Sequence, residues 1–217
     1  MRVFELIGPI MFGPSSSHTA GACRLSRAMW QIAGVKINKA ELDLHGSFRA
    51  HEGGSVNKAL VAGLLGFDTD DDRINNSHAL MEQSGMDFSY GNVNIEGAHN
   101  NTVRYRIWAD GIEFTATGAS VGGGMIDVTE INGAKMSLTG DYNCLMVFCG
   151  CAEKTAQAVD KIFGEGNDEY TVETAVSEDK KTQIVLFKTS HPVTDDMVKR
   201  AGELEGTVYA ARHLRFD

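Results

Sequence analysis

A run of three serines, a histidine and a threonine is the segment whose residue types best suit chemistry. Its order is Gly13-Pro14-Ser15-Ser16-Ser17-His18-Thr19, directly before a predicted helix. The first turn of a helix leaves backbone N–H groups unpaired and carries a partial positive charge. Ringed by hydroxyls and an imidazole, such a helix start suits a small anion such as a carboxylate. A plain helix cap, the alternative interpretation, needs only one hydroxyl. The pattern therefore favours a ligand site, with Gly13 and Gly21 letting the backbone approach the ligand.

Two further glycine clusters are candidates for the same purpose. The first comprises Gly46-Ser47-Phe48 and Gly53-Gly54-Ser55, and it follows a predicted strand that ends at His45. That cluster lacks the lysine and hydroxyl residue of a nucleotide phosphate loop and does not fit GxGxxG. Gly122, Gly123 and Gly124 stand between two predicted strands. Three successive residues without side chains indicate either close approach of the backbone to a ligand or a sharp corner of the sheet. Both interpretations remain open.

The other histidines and the cysteines give weaker signals. His45, His51, His78, His99, His191 and His213 each have an alternative as surface or capping residues. Cys23, Cys144, Cys149 and Cys151 form no CxxC pair, and the sequence predicts no metal site in this chain. The letters of GxSxG occur at Gly118–Gly122, but they lie at the junction of two predicted strands and not at the strand-to-helix elbow of a hydrolase, and no HExxH helix is predicted.

Composition excludes several classes of protein. The chain has 217 residues, with 20 Lys and Arg against 29 Asp and Glu, for a net charge of −9. This acidic balance argues against a nucleic-acid binder. Apolar stretches are too short for a membrane span, and the first residues lack the apolar core of a signal peptide. We therefore expect a cytoplasmic protein. The acidic stretch 68–73 is either a surface turn or a metal loop.

Periodicity predicts an α+β fold for the first part of the chain. Helical spacing indicates a first helix over 16–33 with Ser15, Ser16 or Ser17 as its cap and Gly34 as its end. Two further helices are predicted over 57–65 and 73–84. Predicted strands occupy 39–46, 87–95, 102–109, 112–120, 125–131 and 135–138. Asp110-Gly111 and Asn132-Gly133 are typical of hairpin turns, so we expect a mostly antiparallel sheet.

The last part of the chain has a different order of predicted strands and helices. Strands are predicted over 143–149, 169–177, 182–189 and 207–214, with helices over 153–163 and 193–204. This βαββαβ order is that of ferredoxin-like domains. The sequence predicts a boundary near Tyr142, with domains over 1–142 and 143–217.

The segment from Phe4 to Gly21 resembles the opening of the β chain of iron–sulfur-dependent L-serine dehydratase, also called L-serine ammonia-lyase. The resemblance extends to other stretches and covers most of the chain. These stretches are Leu44–Phe48, Ala59–Gly66, His99–Thr102 and Ser120–Gly124. The C-terminal βαββαβ part is similar to the ACT domains that end many such chains.

The resemblance implies one subunit of a two-chain enzyme. A separate α chain would carry the cysteines of a [4Fe–4S] cluster, acting as a Lewis acid toward the substrate hydroxyl. L-serine would be converted to pyruvate and ammonia. The implied substrate-binding residues are Gly13, Ser15, Ser16, Ser17, His18, Thr19, Gly46 and Ser47, with Gly122, Gly123 and Gly124 as a loop of close backbone approach. The ACT-like part implies possible homodimerisation.

One departure from the family pattern concerns the base that removes the α-proton. The family's histidine falls at about Gly54 in this chain, where no side chain can accept a proton. His51 from a shifted loop, His18 or a group of the α chain would have to serve instead. The alternatives are a related cluster-dependent lyase for another small β-substituted amino acid, or a non-catalytic amino-acid sensor.

Overall fold

The computed structural model describes residues 10–49, 54–166 and 169–216. The chain divides into two compact units. The first holds the chain up to Thr129 together with Ser137–Thr139, and the second holds Glu130–Met136 and the chain from Gly140 to Phe216. A functional boundary near Tyr142 stays a prediction.

In its described residues, the first unit contains three α-helices at the places where the sequence predicts them. They are α1 (Gly21–Ala33), α2 (Ser55–Leu64) and α3 (Ser77–Ser84). Helix α1 ends at Gly34 in the left-handed conformation, with φ of 65°, which favours glycine at a helix end. Its apolar positions Ala22, Leu25, Ala28, Met29 and Ile32 are all completely buried. The periodicity that predicted this helix therefore reflects the face it presents to the core.

Two of the three predicted helices, those over 16–33 and 73–84, begin with a turn that is not α-helical. The first turn before α1, Ser16–Ala20, is π-helical, and α3 is preceded by a 3₁₀ turn over Asp72–Asn76. The predicted helices over 16–33 and 73–84 are thus present, but each begins with a non-α turn. Sequence periodicity does not distinguish these turns over so few residues.

Six strands form the first of the two sheets in the described residues. They are β1 (Ile37–His45), β2 (Asp87–Val93), β3 (Thr102–Ala109), β4 (Ile112–Gly122), β5 (Met125–Ile131) and β6 (Ala134–Thr139). Their order is β2-β1-β3-β4-β5-β6. Strand β1 pairs in parallel with β2 and antiparallel with β3, and β3 is antiparallel to β4. The α+β class with a mostly antiparallel sheet is confirmed.

The two predicted hairpin turns are present. Asp110-Gly111 joins β3 to β4, with φ of 75° at Gly111. Asn132 and Gly133 between β5 and β6 have φ of 48° and 79°. Two successive positive φ angles are what a type I′ hairpin turn requires, and Asn-Gly adopts them readily.

The part of the second unit that follows Gly140 contains, in its described residues, a four-stranded antiparallel sheet and two helices. Its elements are β7 (Asn143–Cys149), α4 (Ala152–Phe163), β8 (Tyr170–Val176), β9 (Gln183–Thr189), α5 (Asp195–Gly202) and β10 (Thr207–His213). The strand order is β10-β7-β9-β8. Phe163, Phe187 and Ala201 belong to the buried cluster that joins both helices to the sheet. Thr194 caps α5 by accepting the Met197 N–H at 3.2 Å. The βαββαβ arrangement is therefore confirmed, and its assignment as an ACT domain stays a prediction.

In the part of the chain that the structure describes, no helix is both long enough and apolar enough to cross a lipid bilayer.

Candidate functional site

Ser15 caps the helix that carries the hydroxyl-rich segment. Its backbone is extended, with φ of −134°, and its Oγ accepts the His18 N–H at 3.2 Å. The Thr19 N–H donates to the Ser15 carbonyl at 2.9 Å. The prediction that a serine of this run caps the helix is confirmed for Ser15. Ser16 and Ser17 lie in the π-helical turn and are half-buried.

The His18 imidazole joins this turn to the second predicted segment. Its Nδ1 lies 3.1 Å from Ser17 Oγ and 3.4 Å from Ser15 Oγ. On the other side of the ring, Nε2 lies 3.1 Å from Ser47 Oγ. The ring stands edge-on to Phe48, with centroids 5.6 Å apart. Three hydroxyls and one imidazole, predicted from separate parts of the sequence, thus form one cluster.

A tight turn after β1 presents Ser47 to this cluster. Gly46 has φ of 62°, and a Cβ at Gly46 would lie 2.1 Å from the Asn100 carbonyl oxygen. Both facts require glycine at this position. The close approach lets the Ser47 N–H donate to the Asn100 carbonyl at 2.8 Å, which holds the turn against the chain entering β3.

Asn101 is a member of the cluster that the residue patterns did not single out. Its Oδ1 is hydrogen-bonded to Ser47 Oγ, and its Nδ2 donates to the Ser120 carbonyl at 3.4 Å. The Ser120 N–H in turn donates to the Asn101 carbonyl at 3.1 Å. The available signal was the resemblance over His99–Thr102, which contains this asparagine.

Close backbone approach at Gly13 and Gly21 is to protein atoms. A Cβ at Gly13 would lie 2.7 Å from the Thr19 side chain, and one at Gly21 would lie 2.0 Å from Ser120 Oγ. Gly13 also has φ of 132°. These contacts account for both glycines, and an approach to ligand at either position stays a prediction.

The three successive glycines form the corner between β4 and β5. Gly122, Gly123 and Gly124 have φ of 109°, 62° and 83°. A Cβ at Gly122 would meet no atom within 4 Å, so conformation rather than crowding requires glycine there. The Gly124 carbonyl accepts the Arg24 Nη1–H at 3.2 Å. Of the two interpretations, the sharp corner is observed, and an approach to ligand stays a prediction.

Three polar side chains near this cluster are buried without a hydrogen-bond partner. Thr19, Asn57 and Ser120 are 2%, 2% and 0% exposed. Thr19 Oγ1, Ser120 Oγ and both polar atoms of Asn57 have no partner in the described structure. Asn57 lies in the first turn of α2, and α2 packs against both α1 and the π-helical turn. Unpartnered buried polar groups are rare in folded proteins, so these three are candidate ligand contacts.

Three other candidate histidines, His45, His51 and His99, are not part of the cluster in the described residues. His51 lies outside the described residues, and its predicted catalytic role stays a prediction. Gly54 stands at the start of α2 with extended backbone. His45 Nδ1 accepts the Ile95 N–H at 3.1 Å, and His99 Nδ1 accepts the Asn101 N–H at 3.2 Å. These two rings hold backbone in place.

The cysteines of the described residues do not fit an iron–sulfur cluster. Burial raises the pKa of the Cys23 thiol to about 12, and it also raises the pKa of Cys144. Cys149 is buried and Cys151 exposed. No group of three or more His, Cys, Asp or Glu side chains in the described ranges is placed to hold a metal ion. Because a cluster needs thiolates that face a common point, the described donor set does not provide a cluster site.

Comparison with known proteins identifies the family. The serine dehydratase beta chain family matches residues 2–130, the part of the chain that contains the whole hydroxyl–imidazole cluster. The chain belongs to this family.

Individual relatives agree with the assignment. The L-serine dehydratase beta chain of Peptoniphilus asaccharolyticus is 40% identical over 148 residues, which is 66% of this chain and 66% of that protein. A probable L-serine dehydratase beta chain of Bacillus subtilis is 38% identical over 146 residues, covering 67% of this chain and 66% of the relative. The chain thus matches just under two-thirds of the length of each relative.

Proposed function

We propose that the chain is the β subunit of an L-serine dehydratase and that the cluster around His18 binds the substrate. The observation that carries the proposal is the convergence of Ser15, Ser17 and Ser47 on one imidazole. All of them lie in the part of the chain that the family matches. Ser47 is exposed and His18 half-buried, so a small ligand has access to the ring.

The substrate carboxylate would bind at the start of the π-helical turn. The backbone N–H groups of Ser16 and Ser17 precede the first donor of the helix ladder, Thr19, and the first N–H groups of a helix lack intrahelical acceptors. Hydroxyls beside them add donors. Since the helix continues through α1 to Ala33, its dipole also favours a negative charge at this end.

The reaction would be the loss of water followed by the loss of ammonia. A base removes the α-proton, and the β-hydroxyl leaves with a proton as water. The resulting aminoacrylate tautomerises to an imine, and a second water hydrolyses it to pyruvate and ammonia. Gly54 has no group that can accept the α-proton. We therefore propose His18 or His51 of this chain, or a group of the partner, as the base.

The cofactor and the partner belong to the proposal as well. Because the described cysteines do not fit a cluster, a [4Fe–4S] cluster would be held by an α chain that completes the enzyme. The cytoplasmic location and homodimerisation through the second unit remain predictions beside it.

The test is to purify the chain with its α chain under anaerobic conditions and to measure pyruvate formed from L-serine. We expect His18→Ala to weaken L-serine binding about tenfold or more, because Ser17 and Ser47 lose the ring that positions their hydroxyls, an effect comparable to the loss of one hydrogen bond to a charged ligand. His191→Ala, at an exposed position in the second unit, is the matched control. Exchange of the serine α-hydrogen with deuterated solvent, measured at saturating L-serine, identifies the base, because loss of the base abolishes exchange whereas weaker binding alone does not. Failure of the assembled enzyme to form pyruvate would contradict the proposal.

An amino-acid sensor is the second candidate, favoured by Gly54 in the place of a base. A cavity of about 540 Å³ in the second unit, lined by Ala152, Glu153, Gln157 and Gln183 among others, could hold an amino acid. If the assembled complex binds L-serine and its [4Fe–4S] cluster is intact but no pyruvate forms, the result would favour the sensor over the enzyme.

A further inference from the structure

The side-chain amide of Asn101 has a defined orientation. Its Nδ2 lies 3.4 Å from the Ser120 carbonyl, and its Oδ1 faces Ser47 Oγ. Turning the amide over would place two acceptor oxygens against each other at Ser120, because a carbonyl has no proton to donate. The Asn101 oxygen therefore faces Ser47 as an acceptor.

This orientation determines which group donates in each following bond. Asn101 Oδ1 has no proton, so the single Ser47 hydroxyl proton lies in the bond to Asn101. Toward His18, Ser47 Oγ can then only accept. The 3.1 Å contact between Ser47 Oγ and His18 Nε2 consequently places a proton on Nε2.

The hydrogen bonding of Nδ1, on the opposite side of the His18 ring, follows from the number of protons on the ring. A neutral imidazole carries one proton, so Nδ1 is left as an acceptor. Ser17 Oγ is the nearer of the two hydroxyls beside Nδ1, at 3.1 Å against 3.4 Å for Ser15 Oγ, and it donates its proton to the ring. With that proton engaged, Ser17 presents only lone pairs to a ligand. Because both ring nitrogens of His18 are then engaged, this arrangement leaves His51 or a group of the partner as the base that removes the α-proton.

We propose that Asn101 is a positioning residue that keeps the imidazole proton of His18 on Nε2. It acts through Ser47 and thereby makes Ser17 an acceptor. Under the proposed function, on which this ligand assignment rests, Ser17 faces the substrate ammonium. The carboxylate is left to the Ser15 hydroxyl and to the first backbone N–H groups of the helix. Ser17 therefore binds the positive group of the substrate, and Ser15 with the backbone N–H groups binds the negative group.

The test is ¹⁵N NMR of the histidine ring nitrogens in the full chain, at a pH where the ring is neutral. A His18→Gln variant identifies the signals of His18 among those of the seven histidines. We expect a protonated Nε2 and an unprotonated Nδ1 in the unsubstituted protein. Asn101→Ala should give a mixture of tautomers, because Ser47 is then free to donate to the ring. Asn101→Asp keeps the acceptor oxygen and should keep the proton on Nε2.

Ser47→Ala provides a second route if Asn101→Ala does not fold. It leaves Asn101 in place and should give the same mixture, since it removes the acceptor beside Nε2. A proton on Nδ1 in the unsubstituted protein, or unchanged ring signals in a folded Asn101→Ala variant, would overturn the proposal. A purely structural role for Asn101 would lower stability without moving the proton. Titration of the same samples with L-serine is read separately. Absence of L-serine binding would contradict the proposed function, while the ring signals still decide the role of Asn101.

Discussion

Gly21 and Ser120 are in contact where helix α1 begins against strand β4. A Cβ at Gly21 would lie 2.0 Å from Ser120 Oγ and 2.8 Å from Ser120 Cβ, and Ser120 is completely buried. The contact sets the distance between the helix start, which carries His18, and the strand end whose Ser120 backbone holds Asn101. Glycine is required here by tertiary contact, because its position in a helix by itself favours alanine.

We expect Gly21→Ala to destabilise the protein by about 1–3 kcal/mol, the usual effect of overpacking a buried contact. It should also weaken L-serine binding, since the helix start must shift away from β4. Thermal unfolding and calorimetric titration measure the two effects. Gly202→Ala is the matched control, because a Cβ there would meet no atom within 4 Å. We expect it to stabilise by about 0.5–1 kcal/mol. A Gly21→Ala variant as stable as the Gly202→Ala variant would show that the contact carries no constraint.

Replacement of Asn57 should change L-serine affinity without lowering the stability of the protein. Both polar atoms of its buried amide lack a partner in the described structure, so replacement by an apolar residue of similar size removes a desolvation penalty. We expect Asn57→Leu to unfold at the same or a higher temperature and yet to bind L-serine more weakly. Ser77→Ala is the comparison, because the buried Ser77 hydroxyl donates to the Lys58 carbonyl at 2.8 Å. Its loss should cost about 1 kcal/mol. Normal L-serine affinity in Asn57→Leu would remove Asn57 from the candidate ligand contacts.

Asp179 makes the stability of the second unit depend on pH. Hydrogen bonds from Ser177, the Lys181 backbone and the Lys181 side chain lower the pKa of Asp179 from 3.8 to about 2. A carboxyl with a lowered pKa in the folded state stabilises above its unfolded pKa, and that contribution is lost as pH falls through the folded pKa. We expect the difference in unfolding temperature between the unsubstituted protein and Asp179→Asn to be constant above about pH 5 and to diminish toward pH 2. A difference that is the same at all pH values would contradict the assigned bonds.

The cysteines should differ sharply in reactivity. With a pKa of about 12, Cys23 is a thiolate in only about one molecule in 10⁴ at pH 8. Cys151 is exposed, and we expect iodoacetamide to modify it first in the folded protein. Mass spectrometry of timed samples measures this order, and Cys151→Ser should remove the early product. Rapid modification of Cys23 without denaturant would show that its environment is open to solvent.

Periodicity and turn chemistry were sufficient to predict nearly all the elements. Leu25 and Ile32 recur at helical spacing, and Asn132-Gly133 has the conformation that its hairpin requires. These features are local, so a short stretch of sequence contains the information. A cap by one serine of the run 15–17 is predictable for the same reason, and the structure places it at Ser15.

The site was predictable in its parts and not in its connections. His18 and Ser47 were both expected to bind the substrate, but the 3.1 Å contact between them joins residues 29 positions apart. The bond from Ser47 to Asn101 spans 54 positions. Such contacts depend on the pairing of β1 with β3, which no local pattern encodes. The π-helical turn escaped prediction because five residues are too few to show a period.

The His18 cluster draws its members from the turn before α1, the turn after β1, the chain entering β3 and the end of β4. A synthetic peptide that copies 13–21 would therefore not bind the ligand, since it contains neither Ser47 nor the amide that orients it. Any transfer of this site to another scaffold must carry the neighbouring strands β1, β3 and β4 together with the helix that packs on them.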